Sequence, residues 1–308
     1  MKKHTRIDSR PEARRRRYRE ILENFTLMSD TFMRNVFKKQ ECTEYVLQVI
    51  MNQGDLKVLE QVLQKDYKNL QGRSAVLDCV AQDAGGRQFN VEIQQDAEGA
   101  SPRRARYHSG LMDMNTLNPG QDFDELPETY VIFITRDDTL GYGLPVYHVT
   151  RKIEEVGADF GDEAYILYVN AGTQEDTELG RLMHDFHCRR AEDMYSEILA
   201  ERVRELKETQ EGVDIMCREM DEIYREGQRY GEKRGEKRGE ERGIKLGEKR
   251  GIKLGEKRGE ERGIAKGKQE MAFSLLRMGM PVEEIAKAAS VSVELVEKWL
   301  EKDLKPVG

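Results

Sequence analysis

From Gly227 to Gly267 a glycine stands at every fourth position, and the residues between are mostly Glu, Lys and Arg. A four-residue period overshoots an integral helical turn by about 40° per repeat, so no fixed face is presented. Each glycine costs roughly 1 kcal/mol relative to alanine in a helix. Pairs such as Lys233 with Glu236 return only about 0.2–0.5 kcal/mol each. The segment reads as a marginal extended helix or a disordered spacer, with close helix packing through the small residues as the sharper alternative. It carries almost no core formers, so the hydrophobic core of this 308-residue chain must lie in its first two-thirds. The low whole-chain figures of 38% hydrophobic and 7% aromatic residues follow from that uneven distribution.

Four parts are expected: a basic tail at 1–24, a globular domain at 25–200, a helical linker with the glycine repeat at 201–268, and a small helical module at 269–308. Net charge is −7, so any contact with DNA must rest on local patches. Arg14, Arg15, Arg16, Arg17 and Arg19 form one such patch, read first as a solvated, partly disordered tail and second as a nucleic-acid arm. Cys42, Cys79, Cys188 and Cys217 are scattered without a CxxC pair, which argues against a disulfide scaffold or a zinc knuckle. His184, His187 and Cys188 lack a fourth ligand for zinc. No apolar stretch approaches membrane-spanning length and the N-terminus lacks the apolar core of a signal peptide. A soluble, cytoplasmic protein without membrane contact is the expectation.

Helical spacing runs through 25–51, with Phe32, Val36 and Phe37 followed by Tyr45, Val46, Val49 and Ile50, and with Ser29 or Asp30 as N-cap. Residues 55–66 are ambiguous between helix and strand. Two short apolar-rich runs, 74–81 and 88–95, flank a connector containing Gly85 and Gly86, the mark of a β-hairpin. A helix over 102–117 should carry Tyr107, Leu111 and Met114 on one side. Strands are expected at 130–135 and 164–169, an edge strand at 145–150, and helices at 175–189 and from 191 to about 225. That order predicts the α/β (α+β) class, a mixed sheet flanked by helices. The tail reads as a helix-turn-helix-like module in which Ser292 caps the last helix. Its Glu294, Glu297, Glu301 and Asp303 would be repelled by phosphate, which favours a packing or oligomerising role over DNA reading.

Chemistry concentrates in the hairpin. If it closes around Gly85, residue i pairs with a residue near 170 − i, and Asp78 stands opposite Glu92. Opposed residues on one face have Cβ atoms about 4.5–5.5 Å apart. Two carboxylates so placed repel, and a divalent cation with a preference for hard oxygen ligands removes the conflict; Mg2+ or Mn2+ suits. Gln94, two residues beyond Glu92, would project beside it and orient a water. The plainer alternative is that both acids lie on the solvent side of a half-exposed hairpin.

Asp78, the glycine-containing turn and Glu92, Ile93, Gln94 resemble the motif core of the PD-(D/E)xK nucleases. More narrowly, the chain resembles their recombination-promoting nuclease (Rpn) and transposase branch. Ser29, Asp30, Thr31 and Phe32 with Val36 and Phe37 are similar to its opening helix. Arg104, Ala105, Arg106, Tyr107 and His108 are similar to its Arg/Tyr-rich helix, and Gly120, Gln121, Asp122 and Phe123 fit as well. The resemblance implies a restriction-endonuclease-like fold over about 25–190, with Asp78 and Glu92 as metal ligands and Gln94 where many of these nucleases carry lysine. It also makes Asp30 a further candidate carboxylate, the alternative being an N-cap. Arg103, Arg104 and Arg106 become candidate phosphate contacts. The expected function is metal-dependent hydrolysis of DNA phosphodiester bonds, in recombination or transposition, with mainly backbone contacts to DNA. The rival expectations are a catalytically inactive scaffold that oligomerises through its C-terminal helices, and a DNA-binding regulator using 271–303.

Overall fold

The computed structural model describes residues 11–67 and 75–303. The expected strand start at Ser74, the first ten residues of the expected tail and the last five of the C-terminal module lie outside them. The chain divides into two compact units, Met1–Arg225 and Glu226–Gly308.

The first unit opens with α1 (Pro11–Glu23), α2 (Asp30–Phe37) and α3 (Gln40–Met51). The arginine-rich segment expected as a solvated tail is thus a helix, and its Tyr18 and Leu22 are buried in the main core. Tyr18 and Leu22, four residues apart, give the segment an inward side despite its charge. The ambiguous stretch becomes strand β1 (Val58–Tyr67), followed by β2 (Ala75–Asp83) and β3 (Gln88–Gln94). Asp83 makes the turn between them. Its Oδ1 accepts from the backbone N–H groups of Gly85 and Arg87, Oδ2 pairs with the Arg87 guanidinium at 2.7 Å, and Gly86 takes φ +84°. A non-glycine residue would resist that left-handed backbone.

Helix α4 (Pro102–Met114) follows, then β4 (Thr129–Thr135), β5 (Val146–Val149), the short pair β6 (Lys152–Ile153) and β7 (Ala158–Asp159), and β8 (Ala164–Asn170). The buried side of α4 is Ala105, His108, Leu111 and Met112; Tyr107 and Met114, expected on one side with Leu111, are exposed. The β6–β7 pair is exposed along its length and left no hydrophobic signal in the sequence. Six strands form one sheet in the order β1-β2-β3-β4-β8-β5. It is antiparallel from β1 to β3, parallel through β3, β4 and β8, and antiparallel again at β5. The central strand β4, Thr-Tyr-Val-Ile-Phe-Ile-Thr, is buried almost throughout, as its unbroken apolar run requires of a strand covered on both faces.

Helices α1, α2, α3, α5 (Glu178–His187) and α6 (Glu197–Glu208) contribute with one sheet face to the main core, joined by Met216, Cys217 and Met220. Helix α4 covers the other face, packing Ala105, Leu111 and Met112 with Val131, Phe133 and Tyr168. The helix expected to run from 191 to about 225 is broken at Thr209, which caps the next helix through Gly212.

That next helix, α7 (Gln210–Arg277), runs unbroken through the glycine repeat. Around each repeat glycine, from Gly227 to Gly267, the space a Cβ would occupy is open. Close packing through the small residues, the sharper alternative, is therefore absent among the described residues. In the second unit α8 (Val282–Ala289) and α9 (Val293–Asp303) enclose Ala272, Ile285, Ala286 and Val296, and Ser292 caps α9 through the N–H of Leu295. No helix among the described residues is long and apolar enough to cross a membrane.

Candidate active site

The register between β2 and β3 follows the expected sum: Cys79 pairs Val91, Val80 pairs Asn90 and Ala81 pairs Phe89. The ladder stops there, one pair short of Asp78 and Glu92. On its other side β2 pairs β1 on either side of Asp78, through Cys79 with Leu63 and Leu77 with Lys65, while Gln64 opposite it takes φ +53°. Asp78 therefore has no ladder partner on either side. The alternation of β2 slips at this residue as well, since Leu77 packs in the α4-side core and Cys79 in the opposite one. Irregularities of this kind re-aim a side chain. The simple alternation that would set both carboxyls on one face does not run through Asp78.

The slip frees the backbone of Asp78, and its N–H donates to Glu92 Oε1 at 3.3 Å. Glu92 is fully buried. Its Oε1 also accepts from Asn90 Nδ2 at 3.2 Å and lies 3.5 Å from His108 Nδ1; its Oε2 meets the Arg104 guanidinium at 3.3 Å. Arg104 donates through Nε to His108 Nε2 and through its terminal nitrogen to the Gly99 carbonyl. An imidazole accepting at Nε2 carries its single neutral-form proton on Nδ1, the nitrogen that faces Glu92.

Asp78 is half-buried in the fork between the strands, in a small niche lined also by Asp30, Met33, Arg34 and Phe37 of α2. Burial, then the charges of Glu92 and Asp30, push its carboxyl up to about 7; a hydrogen bond from the Ile93 N–H and the charge of Arg104 act the other way. Each acid is thus held by the main chain beside the other. Asp30 does not cap α2. The N-cap position is Ser29, and Asp30, in the first turn, pairs with Arg34 at 3.2 Å.

Gln94 lies on the Glu92 side of β3, against Gly99 of a 3-10 turn (Ala97–Ala100). A Cβ at Gly99 would fall 2.0 Å from Gln94 Oε1, so glycine there makes room for this side chain. Of the three candidate arginines, Arg104 alone reaches Glu92. Arg103 and Arg106 line a separate cavity on the other side of α4.

The donor set fits a hard divalent cation in chemistry. The charges of Glu92 and Asp30 both act on Asp78, with Arg34 and Arg104 supplying compensating charge, and Asn90 Oδ1 is buried beside Glu92 without a hydrogen-bond partner. Among the described residues the trio whose ligand atoms lie within 4.8 Å of one another is instead His184, Asp185 and Cys188. Asp78 and Glu92 could share such an ion only after Glu92 gives up a contact with Arg104 or Asn90, because both its oxygens are engaged.

Asn90 and His108 were missed by sequence reasoning. Asn90 stands two residues before Glu92, hence on the same side of β3, and His108 stands one helical turn after Arg104; both signals were legible. The His184, His187 and Cys188 group is reshuffled. His187 bonds the Ala171 carbonyl, while His184 approaches Asp185 and Cys188. Both oxygens of Asp185 already hold the N–H groups of Tyr195 and Ser196 at 2.8 Å, which marks it as a loop anchor.

The sequence model of the PD-(D/E)XK nuclease family transposases matches residues 44–178, a span that contains Asp78, Glu92, Gln94 and the three arginines but not Asp30. Neither a curated protein nor a solved structure matches the chain. Residues 44–178, somewhat under half of the chain, are thus similar to the PD-(D/E)XK nuclease family transposases, and the mixed sheet flanked by helices is consistent with that fold.

Proposed function

We propose that the protein is a metal-dependent DNA endonuclease with Asp78 and Glu92 as metal ligands, Asp30 as an auxiliary carboxylate and Gln94 as the group that orients the attacking water. The observation that carries this reading is the crowding of acids at the fork, where burial and two neighbouring carboxylates hold Asp78 at about 7. A sheet that needed only stability would not retain that repulsion. Mg2+ or Mn2+, when bound, supplies an activated water and neutralises charge on the scissile phosphate. Gln94 offers a hydrogen-bond donor and acceptor but no charge where lysine stands in many such nucleases, so positive charge must come from elsewhere. Arg104 is suited to that, since it reaches from Glu92 to partial exposure and binds carboxylate or phosphate equally well. DNA is held mainly by its backbone in this reading, and the similarity to nuclease family transposases supports a role in recombination or transposition.

Plasmid cleavage with Mg2+ or Mn2+ tests the assignment. Asp78→Asn and Glu92→Gln, both close in shape to the native residues, should abolish nicking while the circular dichroism spectrum is kept. Undiminished cleavage by either variant removes that residue from the site. A second reading, a nuclease-fold scaffold without catalysis, is favoured by one observation: Arg104, Asn90 and the Asp78 N–H occupy Glu92 as an ordinary structural acid would be occupied. It predicts that Mn2+ produces no Asp78-dependent rise in melting temperature.

A further inference from the structure

Across α4 from Glu92, a cavity of about 420 Å3 opens between that helix, the β5 end and β8. Its size lies within the roughly 300–1,000 Å3 of small-molecule sites. Arg103 and Arg106, three residues apart and so on one side of α4, stand at it together with Arg151, and no carboxylate lines it. In a chain of net charge −7 such a concentration of one sign is a local feature. Arg151 is paired with Asp162, whereas Arg103 and Arg106 are exposed and make no ion pair among the described residues. The walls are apolar, with Leu140, Val149 and Ile166 among them.

A second observation points to a ligand. Tyr168 lines the cavity, is 3% exposed, and its hydroxyl is buried without any hydrogen-bond partner. Its ring is already engaged, stacked on Phe133 at 5.6 Å between centroids, so the packing is satisfied and the hydroxyl is not. An unmet buried hydroxyl is costly, and one kept in a folded protein calls for an explanation, of which a bound group is one.

We propose that this cavity binds a nucleoside monophosphate unit, with the phosphate on Arg103 and Arg106, the base between the apolar walls, and a polar edge of the base on the Tyr168 hydroxyl. Guanidinium forks recognise phosphate oxygens in pairs. A base offers the flat apolar faces and the single polar edge that this lining can serve. The unit can be a free nucleotide or the phosphorylated end of a strand. It sits apart from Asp78 and Glu92, and its binding requires neither hydrolysis nor a metal.

Calorimetric titration of the full chain in EDTA tests this with four probes: dAMP, inorganic phosphate, and a trinucleotide with and without a 5′-phosphate. Saturable binding of dAMP is expected, weakened about tenfold or more by Arg106→Gln or Arg103→Gln, as loss of a charge-assisted hydrogen bond implies. Tyr168→Phe should weaken dAMP but leave inorganic phosphate unchanged. A phosphorylated trinucleotide that binds at least as tightly as dAMP identifies a strand end as the source, and dAMP binding alone identifies a free nucleotide. Absence of saturable binding by either, equal affinity for dAMP and inorganic phosphate, or indifference to both arginine substitutions overturns the proposal. Asp78→Asn should bind dAMP normally even though it cleaves nothing, which keeps a failure here separate from a failure of the nuclease reading.

Discussion

At the scale of single residues, the acid that matters most is also the one whose charge the fold opposes. Asp78 titrates at about 7 in the folded protein, above its ordinary value of 3.8. A carboxyl raised on folding contributes stability while protonated, fully present below the unfolded value and lost as pH rises through the folded one. The metal-free protein should therefore lose stability between about pH 4 and pH 7, and Asp78→Asn should flatten that slope in urea titrations. Cation binding requires the ionised form, so the rise in melting temperature given by Mn2+ should be small at pH 5.5 and grow toward pH 8. A metal response independent of pH over that range would argue against Asp78 as a ligand. Arg104→Ala tests the other acid. It leaves fully buried Glu92 without its guanidinium, and a loss of about 1–3 kcal/mol is expected, discounted for the partial exposure of the arginine. Adding Glu92→Gln should recover part of that loss. Gly99→Ala is expected to behave differently, because the atoms nearest its Cβ all belong to Gln94, whose flexible end is the closest. Stability should change by less than about 1 kcal/mol while cleavage falls to the level of Gln94→Ala, with no further loss in the double variant.

At the scale of elements, what could be read from the sequence was what is periodic or turn-coded. The hairpin, its register sum, β4, β8 and the edge strand β5 were all legible from apolar runs and the glycines at 85 and 86. The slip at Asp78 was not, because it arises from Gln64 adopting a left-handed conformation opposite it, and glutamine carries no signal for that. The α1 helix was hidden by its arginines, and the grouping of Tyr107 and Met114 with Leu111 did not hold because small Ala105 and polar His108 share the buried side with Leu111. Within the site, Asp78 and Glu92 stood out as acids inside apolar runs, whereas Asn90 and His108 were marked only by their spacing from Glu92 and Arg104. Helix α7 forms despite its glycines, and alanine at Gly231, Gly235 and Gly239 should raise its thermal midpoint, each adding about 1 kcal/mol of helix stability. Circular dichroism of the full chain reads this directly, and an unchanged midpoint would mean that propensity does not limit the helix.

At the scale of the whole molecule, two hydrophobic clusters lie within Met1–Arg225 and a third, smaller one within Glu226–Gly308. Separate cores imply separate melting, so calorimetry should resolve two transitions, and deletion of 226–308 should remove one and leave the other within a few degrees. A single cooperative transition would mean that the units depend on each other. The irregular backbone at Gln64 has one more consequence. Strand β1 is the outermost strand of its sheet, with no further strand beside it among the described residues and with Leu59 and Val62 exposed. A left-handed residue in its middle, followed by Lys65 and Asp66, breaks that border into pieces too short and too charged to recruit a foreign strand. The kink that aims the acid thereby also guards the protein against self-association into fibres.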